Sequence, residues 1–120
     1  ERTILQGNMY GFIEPMEATA VGMYHRLCKC AWDGIFANDT FDNCNKIIKT
    51  NVKQLENIIL WHYQFGSKFD TPFWKYAKSL PFNPDQKFYE VIKGNLDEDE
   101  EYGQWKTWNF DNWRLGNEFV

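Results

Sequence analysis

One long run of the chain carries apolar residues at the spacing of an α-helix. The stripe recurs every three or four residues and consists of Phe41, Cys44, Ile48, Val52, Leu55, Ile59 and His62. This spacing places side chains on one face of a helix, whereas a half-buried strand would alternate apolar and polar positions. Asp39 or Thr40 can cap the start of the run, and Gly66 stops it. The sequence therefore predicts a long amphipathic helix between these residues.

A second stripe at helical spacing precedes this run. It consists of Met16, Ala20, Met23, Leu27, Ala31 and Ile35. Pro15 suits the first turn of such a helix, because its missing N–H would have no partner there in any case. Gly34 and Asn38 weaken the end of the helix. Before it, the short run "TILQ" predicts a brief strand at residues 3–6.

Two further helices are predicted where a proline follows a capping residue. In "FDTPFWKYAKSL", Thr71 is the expected N-cap and Pro72 the first helical residue. In "NPDQKFYEVIKGN", we expect Asn83 to cap the helix, with Gln86 completing a capping box and Gly94-Asn95 ending it. The last stretch, "YGQWKTWNFDNWRLGNEF", predicts one or two short helices. The fold class is therefore all-α, with four or five helices.

Length and charge exclude several classes of protein. A chain of 120 residues with 43% hydrophobic content forms a single domain at most. Lys and Arg total 13 against 17 Asp and Glu, so no basic surface is expected to bind nucleic acid. No apolar run approaches the roughly 20 residues that span a bilayer. Without a signal-peptide pattern, the expected location is cytoplasmic.

Aromatic residues are the compositional outlier, at 18% with six Trp. Such an excess suits a large core, a contact surface or a pocket for a flat ligand. Three cysteines, Cys28, Cys30 and Cys44, are an odd number that fits a reducing compartment, and we expect all three to be buried thiols. His25 with Cys28, or His25 with His62, raises the question of a metal site. Since zinc requires four converging ligands, we expect no metal.

Two stretches also resemble a known family. "GFIEPMEATAVGMY" is similar to a motif of the flavin-dependent halogenases, the tryptophan halogenase family. "LWHYQFGSKFDTPFWKYAK" resembles a second segment of that family, and it follows the first in the same order. "EYGQW" and "FDNW" resemble the family's C-terminal helices more weakly. The resemblance covers most of the chain but only the C-terminal part of such an enzyme.

The resemblance implies halogenation of an electron-rich aromatic substrate. Members of the family use reduced FAD, oxygen and a halide ion, and a flavin reductase supplies the reduced cofactor. By position in the motif, Glu17 matches the glutamate that faces the substrate and helps to position the oxidant or accepts the ring proton. Thr19 and Ala20 match positions beside the flavin ring and the halide. Ala18 matches a neighbouring position on the substrate side.

Further positions match the family's substrate pocket. Phe73 and Trp74 match aromatic residues of that pocket, and His62 and Tyr63 align with a variable part of the same surface. Phe69 stands where members that act on free tryptophan carry a glutamate. Because a buried ammonium without a carboxylate partner is costly, we expect an indole- or phenol-like substrate instead.

The role of Glu17 has two interpretations. From spacing alone, Glu14 and Glu17 cap the first turn of a helix and face water. The resemblance instead implies that Glu17 lies beside an aromatic pocket, where the positive end of the helix keeps it ionised and able to take a proton.

The sequence contains no G-x-G-x-x-G turn and no alternation of strands and helices, and it begins at Glu1. We therefore expect a piece of a halogenase without the FAD-binding α/β domain, inactive and not binding FAD by itself. The alternative is a stand-alone helical binding or structural module. A piece of a larger enzyme should expose an apolar face and self-associate as a homodimer. The residues expected on that face are Met16, Val21, Met23, Phe69, Phe73 and Trp74.

Overall fold

The computed structural model describes residues 3–6, 9–11, 19–95, 97 and 99–116. These residues form five helices and no strand, which confirms the all-α prediction. The helices are α1 (Thr19–Phe36), α2 (Phe41–Phe65), α3 (Pro72–Ser79), α4 (Gln86–Ile92) and α5 (Thr107–Gly116). The chain divides into two compact units, Glu1–Lys53 and Gln54–Val120.

In the first unit, α1 buries the face that its apolar spacing predicts. Ala20, Met23, Leu27 and Cys30 are buried at steps of three and four residues. Met23 is 1% exposed, so its expected place on an exposed face is wrong, because it lies on the same stripe as Leu27. Val21, on another side of the helix, is 66% exposed. Pro15 and Met16 lie outside the described residues.

The turn between α1 and α2 contains the helix-ending and capping residues that the sequence predicts. Asn38 adopts a positive φ of 58°, and the hydroxyl of Thr40 accepts a hydrogen bond from the N–H of Asn43 at 3.1 Å. Thr40 is therefore the N-cap of α2. A Cβ at Gly34 would lie 2.8 Å from the ring of Phe41, so the glycine lets this ring pack against α1.

The expected strand at residues 3–6 is wrong, because this segment has no regular secondary structure. It is held in the first unit by the side chain of Gln6, whose Nε2 donates to the carbonyl of Leu27 at 3.4 Å. A short run of β-branched and apolar residues forms a strand only when another strand pairs with it. The described residues offer no such partner.

The second unit has a core of interlocking aromatic rings. Trp61 lies at its centre, with ring-centroid distances of 3.8 Å to Trp113, 5.7 Å to Phe88 and 5.9 Å to Phe110. The Trp61 and Phe88 planes meet at 84°, the edge-to-face arrangement that aromatic quadrupoles favour. The large aromatic content of the chain is therefore partly explained by this core.

The ends of α4 are fixed by side chains and by a glycine. Its N-cap is Asp85, whose Oδ1 accepts from the N–H of Phe88 at 2.8 Å, so the prediction of Asn83 as the cap is wrong. The last turn ends as predicted at Gly94, which has a φ of 89°. Asn95 N–H donates to the carbonyl of Glu90, which closes a Schellman-type cap.

Among the described residues, none of the five helices combines the length and the apolar composition of a membrane span.

Candidate functional site

Two of the predicted site residues fall outside what the structure describes. Glu17, the expected catalytic residue, and Ala18 both lie in the undescribed segment 12–18. Thr19 and Ala20 are the first two residues of α1, and they are 4% and 8% exposed. At this end of the first unit, the structure therefore describes only these two buried side chains of the predicted site.

Three predicted substrate residues come together in the second unit. The ring centroid of Tyr63 lies 6.0 Å from that of Phe73 and 6.0 Å from that of Trp74, and the latter two are 5.0 Å apart. We call this group the aromatic corner. Phe73 is 55% exposed, while Tyr63 and Trp74 are half-buried, so the corner presents ring surface to the outside.

Local sequence explains why these rings meet. Pro72 opens α3 directly after Thr71, whose extended backbone makes it the N-cap as predicted. Phe73 and Trp74 therefore occupy the first turn of α3, and Tyr63 lies in the last turn of α2.

The buried side chain of Gln64 fixes α3 against the end of α2. Its Nε2 donates to the carbonyl of Leu80 at 2.7 Å and to that of Ala77 at 3.4 Å. Both carbonyls lie at the C-terminal end of α3: that of Ala77 also accepts from the N–H of Leu80, whereas Leu80 is the C-cap, whose carbonyl has no partner within the helix. Gln64 is thus a positioning residue for the aromatic corner. The sequence does not predict this role for Gln64, because a glutamine beside an apolar stripe is usually exposed to water.

His62 and Phe69 are not part of the aromatic corner as the contacts define it. The ring of His62 lies edge-on to Trp105 and Trp113, at centroid distances of 5.0 and 5.1 Å. Its Nδ1 is 2.7 Å from the carbonyl of Ile58, and because a carbonyl only accepts, Nδ1 carries the proton. Phe69 lies in the exposed connection after α2, where its N–H donates to the hydroxyl of Ser67.

The second unit also contains a buried polar network that sequence reasoning did not find. The hydroxyl of Tyr102 accepts from Asn57 Nδ2 at 2.7 Å and donates to Asp85 Oδ2 at 2.8 Å. Burial, together with the negative charge of Asp85, raises the pKa of Tyr102 above its ordinary value. A hydroxyl that stays protonated is a fixed donor. This network therefore has a structural role, joining α2 to the start of α4.

The cysteines are free thiols with different surroundings. Cys30 and Cys44 are buried, but Cys28 is exposed, which corrects the expectation of three buried thiols. Residues two apart on a helix are turned by about 200°, so Cys28 and Cys30 cannot both face the core. Among the described residues, no three His, Cys, Asp or Glu side chains are grouped as a metal site would require.

Comparison with known proteins identifies a family. Residues 1–115 match the family described as Tryptophan halogenase. No curated protein and no solved structure matches the chain.

Proposed function

Because this chain belongs to the tryptophan halogenase family, we propose that it supplies part of the aromatic-substrate site of a flavin-dependent halogenase. The observation that carries this proposal is the aromatic corner of Tyr63, Phe73 and Trp74. The corner lies in one of the two segments whose sequence resembles the family's motifs.

The geometry of the corner suits a flat, electron-rich ring. Phe73 meets Tyr63 at 75° and Trp74 at 78°, so faces and edges are presented together. A bound indole or phenol could then make an edge-to-face contact with one ring and an offset contact with another. Each such contact is worth about 0.5–1.5 kcal/mol beyond the area it buries. The exposed surface of Phe73 is the surface that a substrate would cover.

The proposed substrate carries no ammonium group, because Phe69 stands where the resemblance places the glutamate of members that act on free tryptophan. Phe69 is an exposed hydrocarbon ring and offers no charge to pair with the ammonium group of free tryptophan. An indole or phenol without that group avoids the cost of an unpaired charge. The family resemblance also assigns the acceptance of the ring proton to Glu17 and a substrate-binding role to Ala18, and both residues lie outside the described part of the chain.

We also propose, from the family alone, that the full-length enzyme uses FAD and a halide ion and depends on a flavin reductase. Reduced FAD and oxygen would supply the oxidant. Two described residues, Thr19 and Ala20, match the positions that the resemblance places beside the flavin ring and the halide. Thr19 and Ala20 are buried, so their side chains offer no open surface to a group of that size. We therefore assign the aromatic corner to substrate binding and propose no cofactor contact for the side chains of Thr19 and Ala20.

Indole binding to the 120-residue chain tests the proposal. We expect a weak site, followed by NMR through the side-chain N–H signals of the tryptophans. Trp74→Leu should raise the Kd for indole about two- to tenfold, the worth of one ring contact. The matched control is Trp108→Leu, since Trp108 is also exposed but lies in α5. Equal effects of the two substitutions, or binding that neither changes, would contradict the proposal.

A second function, a non-catalytic helical module, is favoured by the closed core of the second unit. Trp61, Phe88 and Phe110 are buried there against one another. Such a module would fold cooperatively and bind a partner without turning over a substrate. It would also keep its affinity for that partner when Trp74 is changed, which distinguishes it from the first proposal.

A further inference from the structure

Cys30 and Cys44 form a pair of thiols in the first unit. Cys30 lies on α1 and Cys44 on α2, and the thiol of Cys44 donates to the carbonyl oxygen of Cys30 at 3.1 Å. Both residues are buried and carry free thiols. Burial raises the pKa of Cys30, and the neighbouring thiol of Cys44 raises it further. Nothing in the proposed halogenation uses this pair.

A cavity gives both thiols access to small molecules. It has a volume of about 870 Å³, and both cysteines line it. Apolar side chains, among them Leu27, Phe41 and Ile48, form much of the wall, and Gln6 adds a polar group. A cavity of this size admits a molecule as small as a peroxide with room to spare. The pair is therefore buried in the unit and still reachable.

We propose that Cys30 and Cys44 are a modification site at which a peroxide converts the two thiols into a disulfide. In the first step, one thiolate attacks a peroxide oxygen, the O–O bond breaks, and a sulfenic acid and water form. In the second step, the other thiol attacks the sulfenic sulfur, the S–O bond breaks, and a second water leaves. Two thiols and one hydrogen peroxide thus give one disulfide and two waters.

The local geometry supports closure of this bond. A disulfide needs Cα atoms about 4.4–6.8 Å apart, with the two side chains turned toward each other. The sulfur of Cys44 already contacts the backbone of Cys30, and the Cys44 thiol is close enough to the Cys30 thiol to raise its pKa. Cys28 is on the other side of α1 and exposed, so it provides an internal comparison.

Because the raised pKa of Cys30 keeps that thiol protonated at neutral pH, we expect the reaction to be slow compared with that of an activated cysteine. The product should nevertheless be specific. Cys28 can be oxidised or alkylated, but it has no second thiol on its own face of the helix in the described part of the chain.

Peptide mapping tests the proposal on the purified chain. Trypsin cuts after Arg26, Lys29 and Lys46, so Cys28 falls on one peptide and both other cysteines fall on peptide 30–46. After treatment with hydrogen peroxide and then iodoacetamide, we expect peptide 30–46 to be unalkylated and lighter by two hydrogen atoms. Reduction with dithiothreitol should restore two alkylation sites, while Cys28 is alkylated throughout or singly oxidised.

Substitutions sharpen the result. Cys28→Ser should leave the disulfide unchanged, whereas Cys30→Ser and Cys44→Ser should each abolish it. A disulfide that involves Cys28, or two free thiols on peptide 30–46 after Cys28 has reacted completely, would overturn the proposal.

A measurement on the unmodified chain covers the case in which a substituted chain fails to fold. Phenylarsine oxide bridges two neighbouring thiols and releases one water. It should protect Cys30 and Cys44 together from iodoacetamide. Protection of neither thiol would also overturn the proposal. None of these results depends on halogenation.

Discussion

The hydroxyl of Tyr102 offers the sharpest test of how the second unit is held together. It links the middle of α2, through Asn57, to the capping carboxylate of α4, through Asp85. Tyr102 is completely buried and Asn57 is 2% exposed, so water cannot replace the contact between them, whereas the exposed carboxylate of Asp85 can be hydrated. Tyr102→Phe removes this single oxygen and leaves the ring in place among Phe88 and Phe110.

The magnitude follows from what the substitution leaves behind. The amide of Asn57 is 2% exposed and would lose its acceptor, which costs about 1–3 kcal/mol. The hydrogen bond to the carboxylate of Asp85 is charge-assisted, and such bonds contribute about 1.5–3 kcal/mol. Part of this is recovered, because water can hydrate the exposed carboxylate of Asp85 and the phenylalanine ring has no hydroxyl to desolvate. We therefore expect Tyr102→Phe to lower the free energy of unfolding by about 2–3 kcal/mol.

Urea unfolding followed by tryptophan fluorescence measures this loss, since Trp61, Trp105 and Trp113 are buried in the same unit. The matched control is Tyr76→Phe, whose ring is 64% exposed, and its effect should stay within about 0.5 kcal/mol. A Tyr102→Phe effect as small as the control's would refute the network as a source of stability.

The same network predicts a dependence on pH. The folded-state pKa of Tyr102 is raised, while in the unfolded chain a tyrosine titrates near pH ~10. The folded state therefore binds more protons above that pH, and the stability contributed by Tyr102 is fully present below pH ~10 and is lost as pH rises. Above that point, stability should fall more steeply in the native chain than in Tyr102→Phe, by up to about 1.4 kcal/mol per pH unit. Parallel curves would contradict the assignment.

Three further predictions follow from other features. Gly103→Ala should lower the free energy of unfolding by at least about 1 kcal/mol, because Gly103 has a φ of 64° and a Cβ would lie 2.9 Å from Ile58; urea unfolding measures it, and an unchanged midpoint would contradict it. In a full-length halogenase containing this chain, Glu17→Gln should lower turnover about 100-fold or more with little change in Tm. The comparison variant Glu14→Gln should leave both turnover and Tm nearly unchanged. If Glu17→Gln instead lowered Tm at unchanged turnover, Glu17 would be a helix cap only. Sedimentation across a concentration series should show the chain self-associating through exposed apolar side chains such as Phe73, and a monomer mass at every concentration would contradict that expectation.

The long helix was predictable because its signals are local and repeated. Periodic apolar residues from Phe41 onward, a cap at Thr40 and a stop at Gly66 all lie within the helix or beside it, and α2 has these bounds. The start of α4 was not predictable in the same way. Asn83 and Asp85 flank Pro84, and both can cap a helix. Asp85 is favoured because its carboxylate also accepts from Tyr102, a contact with a residue far along the chain.

The candidate site was partly predictable for a similar reason. Tyr63, Phe73 and Trp74 lie on either side of one short connection, so the helix start at Pro72 brings them together. The sequence resemblance placed His62 on the same surface as Tyr63. In the structure their rings belong to different groups, because neighbouring residues on a helix are turned by about 100°.

The segment "EYGQW" shows why a motif match does not by itself identify chemistry. It was a weak echo of the halogenase family, and its residues form a tight turn in which Tyr102 and Trp105 exchange backbone hydrogen bonds. Gly103 adopts a positive φ close to Ile58, and its N–H donates to the side chain of Gln54 at 2.8 Å. Packing alone therefore accounts for Tyr102, Gly103 and Trp105 in this segment. By contrast, packing does not require the exposed ring of Phe73 in the aromatic corner, so the corner is the better place to look for the substrate.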